Sequence, residues 1–397
     1  VADAVKIDGV DTGDIAFIDG VAKADIVKIG TATYPANGVA TRWMGGANTG
    51  RLFTTTASNG LTGWGDGKGT NGAIIDLGNG DVVSVAYGNS GEDVEDPPRW
   101  ICGLAQSNGS LGGICYINSS SVLDAAGIPY YATASNWTSA SAPVMDDGFQ
   151  GRQGLAYGND VWMGATKEKN VSGDYQSFWR STNYGASWTR LAESNDENDE
   201  GEVMCYKGTG NTWMAGHGKS IWRSTDNGAN WSRIFTGSYD GSYGTVIFKA
   251  IAYDGSGRWM AGGTAGDAWY SDNDGDLWVD QSSRTGTANN IAGMVYMKGS
   301  VNRWIIVGQS GMGKSQTNVA IDEDEENWGN IAGLEGTTMN AIATDHVTAI
   351  AVGQSGRIWA TTNGTSWNLG AAVRADNIGT NALKSIACDI IGAGIYK

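Results

Sequence analysis

A tryptophan-centred motif recurs along this chain: RWMGG at 42–46, RWICG at 99–103, VWMGA at 161–165, TWMAG at 212–216, RWMAG at 258–262 and RWIIVG at 303–308. A weaker copy, TAIAVG, occupies 348–353. Such a period restricts folding strongly, because each unit carries an apolar face that only its neighbours can cover. The spacing runs from about 45 to about 60 residues, the length of four short strands plus their loops.

Ahead of each later copy lies a short apolar strand: VSVAYG (83–88), GLAYG (154–158), VMCYKG (203–208), AIAYDG (250–255), GMVYMKG (293–299) and NAIATD (340–345). The first copy has none in front of it. KSIACD, at 384–389, is the missing strand, placed at the other end of the chain. A ring of sheets closed in this way leaves no edge unpaired. The expected fold is therefore all-β, a seven-bladed β-propeller over residues 35–397, closed by a C-terminal strand and preceded by an arm over 1–34. The 61 glycines, scattered without a three-residue period, fit a chain of many tight turns.

After each tryptophan strand comes a third strand and a tight turn ending in tryptophan. WRSTNYGASW (179–188), WRSTDNGANW (222–231) and WYSDNDGDLW (269–278) share S-x-[DN]-x-G, and WATTNGTSW (359–367) is one residue shorter. The turns at 54–64, 130–137 and 321–328 are degenerate. In each full copy the Asp or Asn side chain is expected to accept from turn N–H groups, glycine to supply a positive φ, and tryptophan to pack beneath the hairpin. These turns resemble Asp-box, or BNR, repeats. On that resemblance the structural residues are Ser181, Asn183, Gly185 and Trp188; Ser224, Asp226, Gly228 and Trp231; and Ser271, Asn273, Gly275 and Trp278.

Gly308 to Ser315 match the phosphate-loop pattern G-x-x-x-x-G-K-[ST]. That loop needs a helix opening directly after it. Here VGQSGMGKSQTN (307–318) aligns with VGQSGRIWATTN (352–363) one unit on, so a hairpin is expected and nucleotide binding is not.

A net charge of −16 argues against a nucleic-acid partner, which needs a basic face. The four cysteines and two histidines lack metal-ligand spacing, so neither a metal nor any other cofactor is expected. Cys102 and Cys115 are spaced to pair across a hairpin, but buried free thiols are the simpler expectation. His217 is expected in a loop. The acidic stretches at 194–202 and 322–327 lack the spacing of a calcium loop and read as solvated turns. No run approaches the length of a membrane span, and the opening VADAVKIDGV does not resemble a signal peptide.

Residues 6–16 (KIDGVDTGDIA) and 17–27 (FIDGVAKADIV) form an 11-residue repeat that continues in KIGTATY. Too short to bury a core, it is expected to dock on its own propeller, on sister chains, giving a homo-oligomer, or on another protein. It resembles the short I-D-G-V repeats near the ends of tailed-phage virion proteins. That resemblance implies a virion location and other virion proteins as partners.

Asp-box propellers include sialidases, other glycoside hydrolases, protein-sorting receptors and photosystem assembly factors, so the resemblance leaves function open. The sialidase Arg-Ile-Pro stretch is absent. Most arginines recur at repeat positions: Arg42, Arg99, Arg258 and Arg303 before tryptophan, Arg180 and Arg223 after it. A general glycosidase would need two facing carboxylates. On the loop face, opposite the tryptophan turns, the acids are Asp146, Asp147, Glu197, Asp199, Glu200, Asp240 and Asp267. The same face offers aromatic and polar side chains suited to a cell-surface glycan: Phe149, Arg152, Tyr175, Tyr239, Asp240 and Tyr243. The expected function is a non-enzymatic virion protein of a tailed phage, a fibre, appendage or head decoration that displays the propeller for adhesion. The alternatives are a glycan hydrolase and an intracellular protein-binding assembly factor.

Overall fold

The computed structural model describes residues 43–55, 74–77, 80–88, 99–105, 113–118, 137–140, 149, 154–166, 178–191, 201–237, 246–298, 301–316, 328–334, 336–369 and 382–388, and four two-residue strands between 6 and 22. Seven four-stranded antiparallel sheets follow one another along the chain. The architecture is an all-β, seven-bladed propeller, and the blades are numbered I to VII in chain order of their tryptophan strands.

Blade I is built from both ends of the chain. Its innermost strand, Leu383–Cys388, pairs with Trp43–Ala47, placing Ile386 opposite Gly45 and Cys388 opposite Trp43. Arg51–Thr55 and Ile74–Asp76 complete the sheet. The ring thus closes as the strand phase predicts. The tail at 390–397 lies outside the described residues.

Alternation explains why the repeat reads tryptophan, then methionine or isoleucine. Successive strand residues point to opposite faces of a blade, and each face meets a different neighbour. Trp162 is buried with Ile101 and Leu155 in the seam between blades II and III. Met163, the next residue, is buried with Met204 and Trp213 in the seam between III and IV. The same handover recurs at Trp100/Ile101, Trp213/Met214, Trp259/Met260 and Trp304/Ile305. In blade VII the weaker copy puts Ala349 in the tryptophan position and Ile350 in the next seam. The hydrophobic core is a ring of inter-blade seams.

In blades II to VI the tryptophan also leans on a tyrosine of its own blade's inner strand. The ring centroids are 4.9 Å apart for Tyr157–Trp162, 4.8 Å for Tyr206–Trp213 and 4.6 Å for Tyr253–Trp259. Such tilted aromatic pairs contribute about 0.5–1.5 kcal/mol beyond area burial. The glycine ending the preceding inner strand makes room for them: a Cβ on Gly158 would lie 2.1 Å from the Tyr206 ring.

The four described strands between 6 and 22 enter no blade. Lys6–Ile7 pairs with Val10–Asp11, and Phe17–Ile18 with Val21–Ala22, so each I-D-G-V repeat forms its own small hairpin. An Asp-Gly pair between the strands is the sequence signal for a two-residue hairpin turn.

Candidate functional site

Antiparallel order gives the ring two faces. One carries the turn from each first strand to its second and from each third to its fourth. The other carries the connections from second to third strands and from each blade to the next.

The first face is occupied by the tryptophan turns, whose polar groups satisfy one another. In blade IV the Ser224 hydroxyl donates to Asp226 Oδ1 at 2.8 Å and accepts from the Gly228 N–H at 2.9 Å. Asp226 Oδ1 accepts from the Asn230 N–H at 2.8 Å. Burial alone would raise the Asp226 carboxyl, but hydrogen bonds from Asn230, Ser224 and the Ala229 backbone hold it below the usual carboxylate range. Ser181/Asn183 and Ser271/Asn273 repeat the pattern, with Ser181 and Ser271 each accepting at 2.9 Å from the turn glycine, Gly185 or Gly275. In the shortened copy Thr361 takes the serine's place.

Two consecutive left-handed residues close each full turn: Tyr184 and Gly185, Asn227 and Gly228, Asp274 and Gly275. Glycine is required at the second for space as well. A Cβ on Gly228 would stand 2.5 Å from Met163 Sδ of the previous blade, and one on Gly185 2.1 Å from Ile101. Trp188 and Trp231 donate from Nε1 back to the turn carbonyls of Gly185 and Gly228 at 2.9 and 3.2 Å.

Three of the recurrent arginines clasp one blade to the next. Arg99 donates to the Tyr184 carbonyl at 2.6 Å, Arg180 to that of Asn227 at 3.1 Å, and Arg223 to that of Asp274 at 2.8 Å. Each acceptor is the first left-handed residue of the neighbouring turn. These guanidinium groups are structural parts of the ring.

On the second face, the phosphate-loop match is a hairpin. Strand Arg303–Gly308 runs into a three-residue turn, Gln309–Gly311, and returns as Gly313–Gln316. The Gly308 N–H donates to the Met312 carbonyl at 3.0 Å, so it faces the turn itself. Blades V and VII repeat the turn at Thr264–Gly266 and Gln354–Gly356, with Ala265, Ser310 and Ser355 all at φ near +55 to +57°. Burial holds the Lys314 ammonium below the usual lysine range. Lys314→Ala is expected to change stability by less than about 0.5 kcal/mol. Titration calorimetry with ATP should give no binding heat in either protein; heat that the substitution abolishes would restore the phosphate-loop interpretation.

Phe149 requires a correction. It is 0% exposed, packed over Gly103 of blade II and Gly164 of blade III within the seam between them. Its ring fills a space that two glycines leave, so it presents no face to a ligand. Arg152, Tyr175, Tyr239, Asp240 and Tyr243 lie outside the described residues, as do Asp146, Asp147, Glu197, Asp199, Glu200 and the acidic segments at 194–200 and 322–327.

His217 is a second correction. It ends strand Trp213–His217, 1% exposed, with its ring edge-on to Phe178 at 5.9 Å. The HGK sequence suggests a loop, yet the bulk of Phe178 and Trp222 draws the imidazole into the blade. Of the loop-face acids named from the sequence, Asp267 is the one that lies among the described residues. It is 3% exposed, and its carboxyl is raised by burial and then by the charge of Asp280, against a hydrogen bond from Ser282. A raised carboxyl beside a second carboxylate is a signal that spacing alone did not single out.

Among the described residues no group of three metal-ligating side chains converges, and no helix is long and apolar enough to cross a membrane. No protein-family model and no curated protein matches the chain. Comparison with solved structures finds YCF48 from Cyanidioschyzon merolae at 15% identity and a TM-score of 0.51, over 76% of this chain and 87% of that one. A YCF48 bound to D1 peptide is similar at 13% identity and a TM-score of 0.44, over 68% and 77%. A GH74 xyloglucanase from Xanthomonas campestris is similar at 12% identity and a TM-score of 0.50, over 83% of this chain and 54% of the other. At such identities the likeness to the Cyanidioschyzon YCF48 and to the xyloglucanase establishes a shared propeller architecture alone.

Proposed function

We propose that this chain is a non-enzymatic display propeller, a virion structural or adhesion protein of a tailed phage, with Asp-box turns stiffening its ring. Residues 1–34 join it to sister chains and to other virion proteins. The loop face binds a host-surface glycan through Arg152, Tyr175, Tyr239, Asp240 and Tyr243. The observation carrying this reading is the closure of the ring by its own C-terminal strand, while the described N-terminal strands pair only as separate hairpins. An arm that the ring does not need is free to serve attachment.

Removing residues 1–34 is expected to leave a folded, monodisperse propeller that no longer joins its oligomer or particle. Light scattering and co-sedimentation measure this. Normal assembly by the truncated chain would transfer the structural contacts to the propeller. A glycan array probed with the intact chain and with Tyr239→Ala/Tyr243→Ala tests the ligand face separately.

Glycan hydrolysis is the second reading, favoured by the Asp267–Asp280 pair. It ranks lower because a general acid must reach the glycosidic oxygen, and Asp267 is buried. Release of reducing sugar that Asp267→Asn abolishes would reverse the order.

A further inference from the structure

Cys102 and Cys115 stand directly opposite each other on adjacent strands of blade II, Arg99–Leu104 and Ile114–Asn118. Their place is two residues along the ladder from the 2.9 Å hydrogen bond between the Leu104 N–H and the Gly113 carbonyl. Such a pair sets its Cα atoms about 5.5 Å apart, within the range of about 4.4–6.8 Å that a disulfide spans. The thiols differ in access. Cys102 is fully buried in the seam with blade I, while Cys115 packs at its margin and is only half-buried. On its other side Cys115 faces the exposed Ser139 of the outer strand.

We propose that Cys102 and Cys115 are a reversible redox couple, in which a hydroperoxide oxidises Cys115 and Cys102 resolves it to a cross-strand disulfide. The Cys115 thiolate attacks the distal oxygen of the hydroperoxide, breaking the O–O bond. A sulfenic acid forms, and the remaining oxygen leaves as an alcohol after taking up a proton. Cys102 then loses its proton and attacks the Cys115 sulfur, displacing hydroxide, which takes that proton and departs as water. In sum two thiols and one hydroperoxide give a disulfide, an alcohol and water.

The electrostatics agree with this division of labour. A hydrogen bond from Cys102, then one from Ser139, outweighs burial and lowers the Cys115 thiol to about 7. Burial, and then the partner sulfur, raises Cys102, so it stays protonated as the donor. Directly opposite strand residues hold their Cβ atoms about 4.5–5.5 Å apart, slightly wider than the roughly 3.5–4.5 Å of a relaxed disulfide. The strands must draw together to bond, which favours a readily reduced disulfide over a permanent staple.

The other cysteines serve as internal controls. Cys205 is buried, and desolvation pushes its thiol up to about 12. Cys388 is buried in the closing strand. The test treats the full chain with a slight excess of hydrogen peroxide and maps the thiols by alkylation and mass spectrometry. The expected product is a peptide pair linked through Cys102 and Cys115, two hydrogens lighter and restored by dithiothreitol, with Cys205 and Cys388 still alkylated. In the untreated chain Cys115 should alkylate at least about tenfold faster than Cys205. Cys102→Ala should stop at a sulfenic acid on Cys115 that dimedone traps. Should that variant misfold, the wild-type map decides alone. Unlinked Cys102 and Cys115 after peroxide, or equal oxidation of all four thiols, overturns the proposal.

Discussion

Deleting residues 383–397 is expected to abolish cooperative folding. Strand Leu383–Cys388 lies between the inner strands of blades VII and II and forms the inner strand of blade I. Leu383, Ile386 and Cys388 are buried in the seam with blade VII, and Ala387 packs in the seam with blade II. The Leu383 carbonyl accepts from Asn340 Nδ2 at 2.7 Å in the same seam. Burying each large apolar side chain contributes about 1.5–3 kcal/mol, and each ladder hydrogen bond about 1 kcal/mol net. Their sum is comparable with the about 5–15 kcal/mol that stabilises a typical domain. The deletion also bares the edge of Trp43–Ala47 and opens the ring, which invites edge-to-edge aggregation. Circular dichroism melting and sedimentation measure the outcome. A truncated chain with the melting curve of the full one would mean that blade I is held by something else.

Trp213→Ala is expected to cost about 3–5 kcal/mol, the range for removing a fully buried tryptophan. Trp213 is 0% exposed and stacks on Tyr206 in the seam between blades III and IV. Its Nε1 donates to Asn227 Oδ1 at 3.0 Å, and Asn227 Nδ2 in turn donates to the Asn159 carbonyl of blade III at 2.9 Å. Losing the ring therefore leaves a cavity and also releases the residue that ties one turn to the neighbouring blade. Trp213→Phe keeps most of the volume and loses the hydrogen bond, so a smaller loss of about 1–2 kcal/mol is expected. Urea denaturation of the three proteins should give that order. Equal losses in both variants would place the whole effect in the Asn227 network.

Much of this architecture was legible in the sequence because its signals are local and repeated. The tryptophan period, the alternating inner strands and the S-x-[DN]-x-G turns each depend on residues within a few positions of one another. A hydroxyl two residues before a carboxylate or amide, with glycine next but one, can satisfy a turn without help from elsewhere. The blade count and ring closure followed from that repetition, as did the dismissal of the phosphate-loop match, since the next blade carries the same hairpin.

What the sequence could not determine was the destination of each side chain across a seam. Arg99, Arg180 and Arg223 are evident as repeat residues, but the carbonyls they hold belong to the next blade, 85, 47 and 51 positions away. Phe149 looks like a loop aromatic until Gly103 and Gly164 are brought together beneath it from different blades. His217 looks exposed among glycine and lysine until Phe178 and Trp222 enclose it. Cys102 and Cys115 are suggestive in spacing, yet the register alone sets them opposite each other. Local hydrogen bonding writes the blade into the sequence, whereas burial is a property of two blades at once and emerges only when the ring closes.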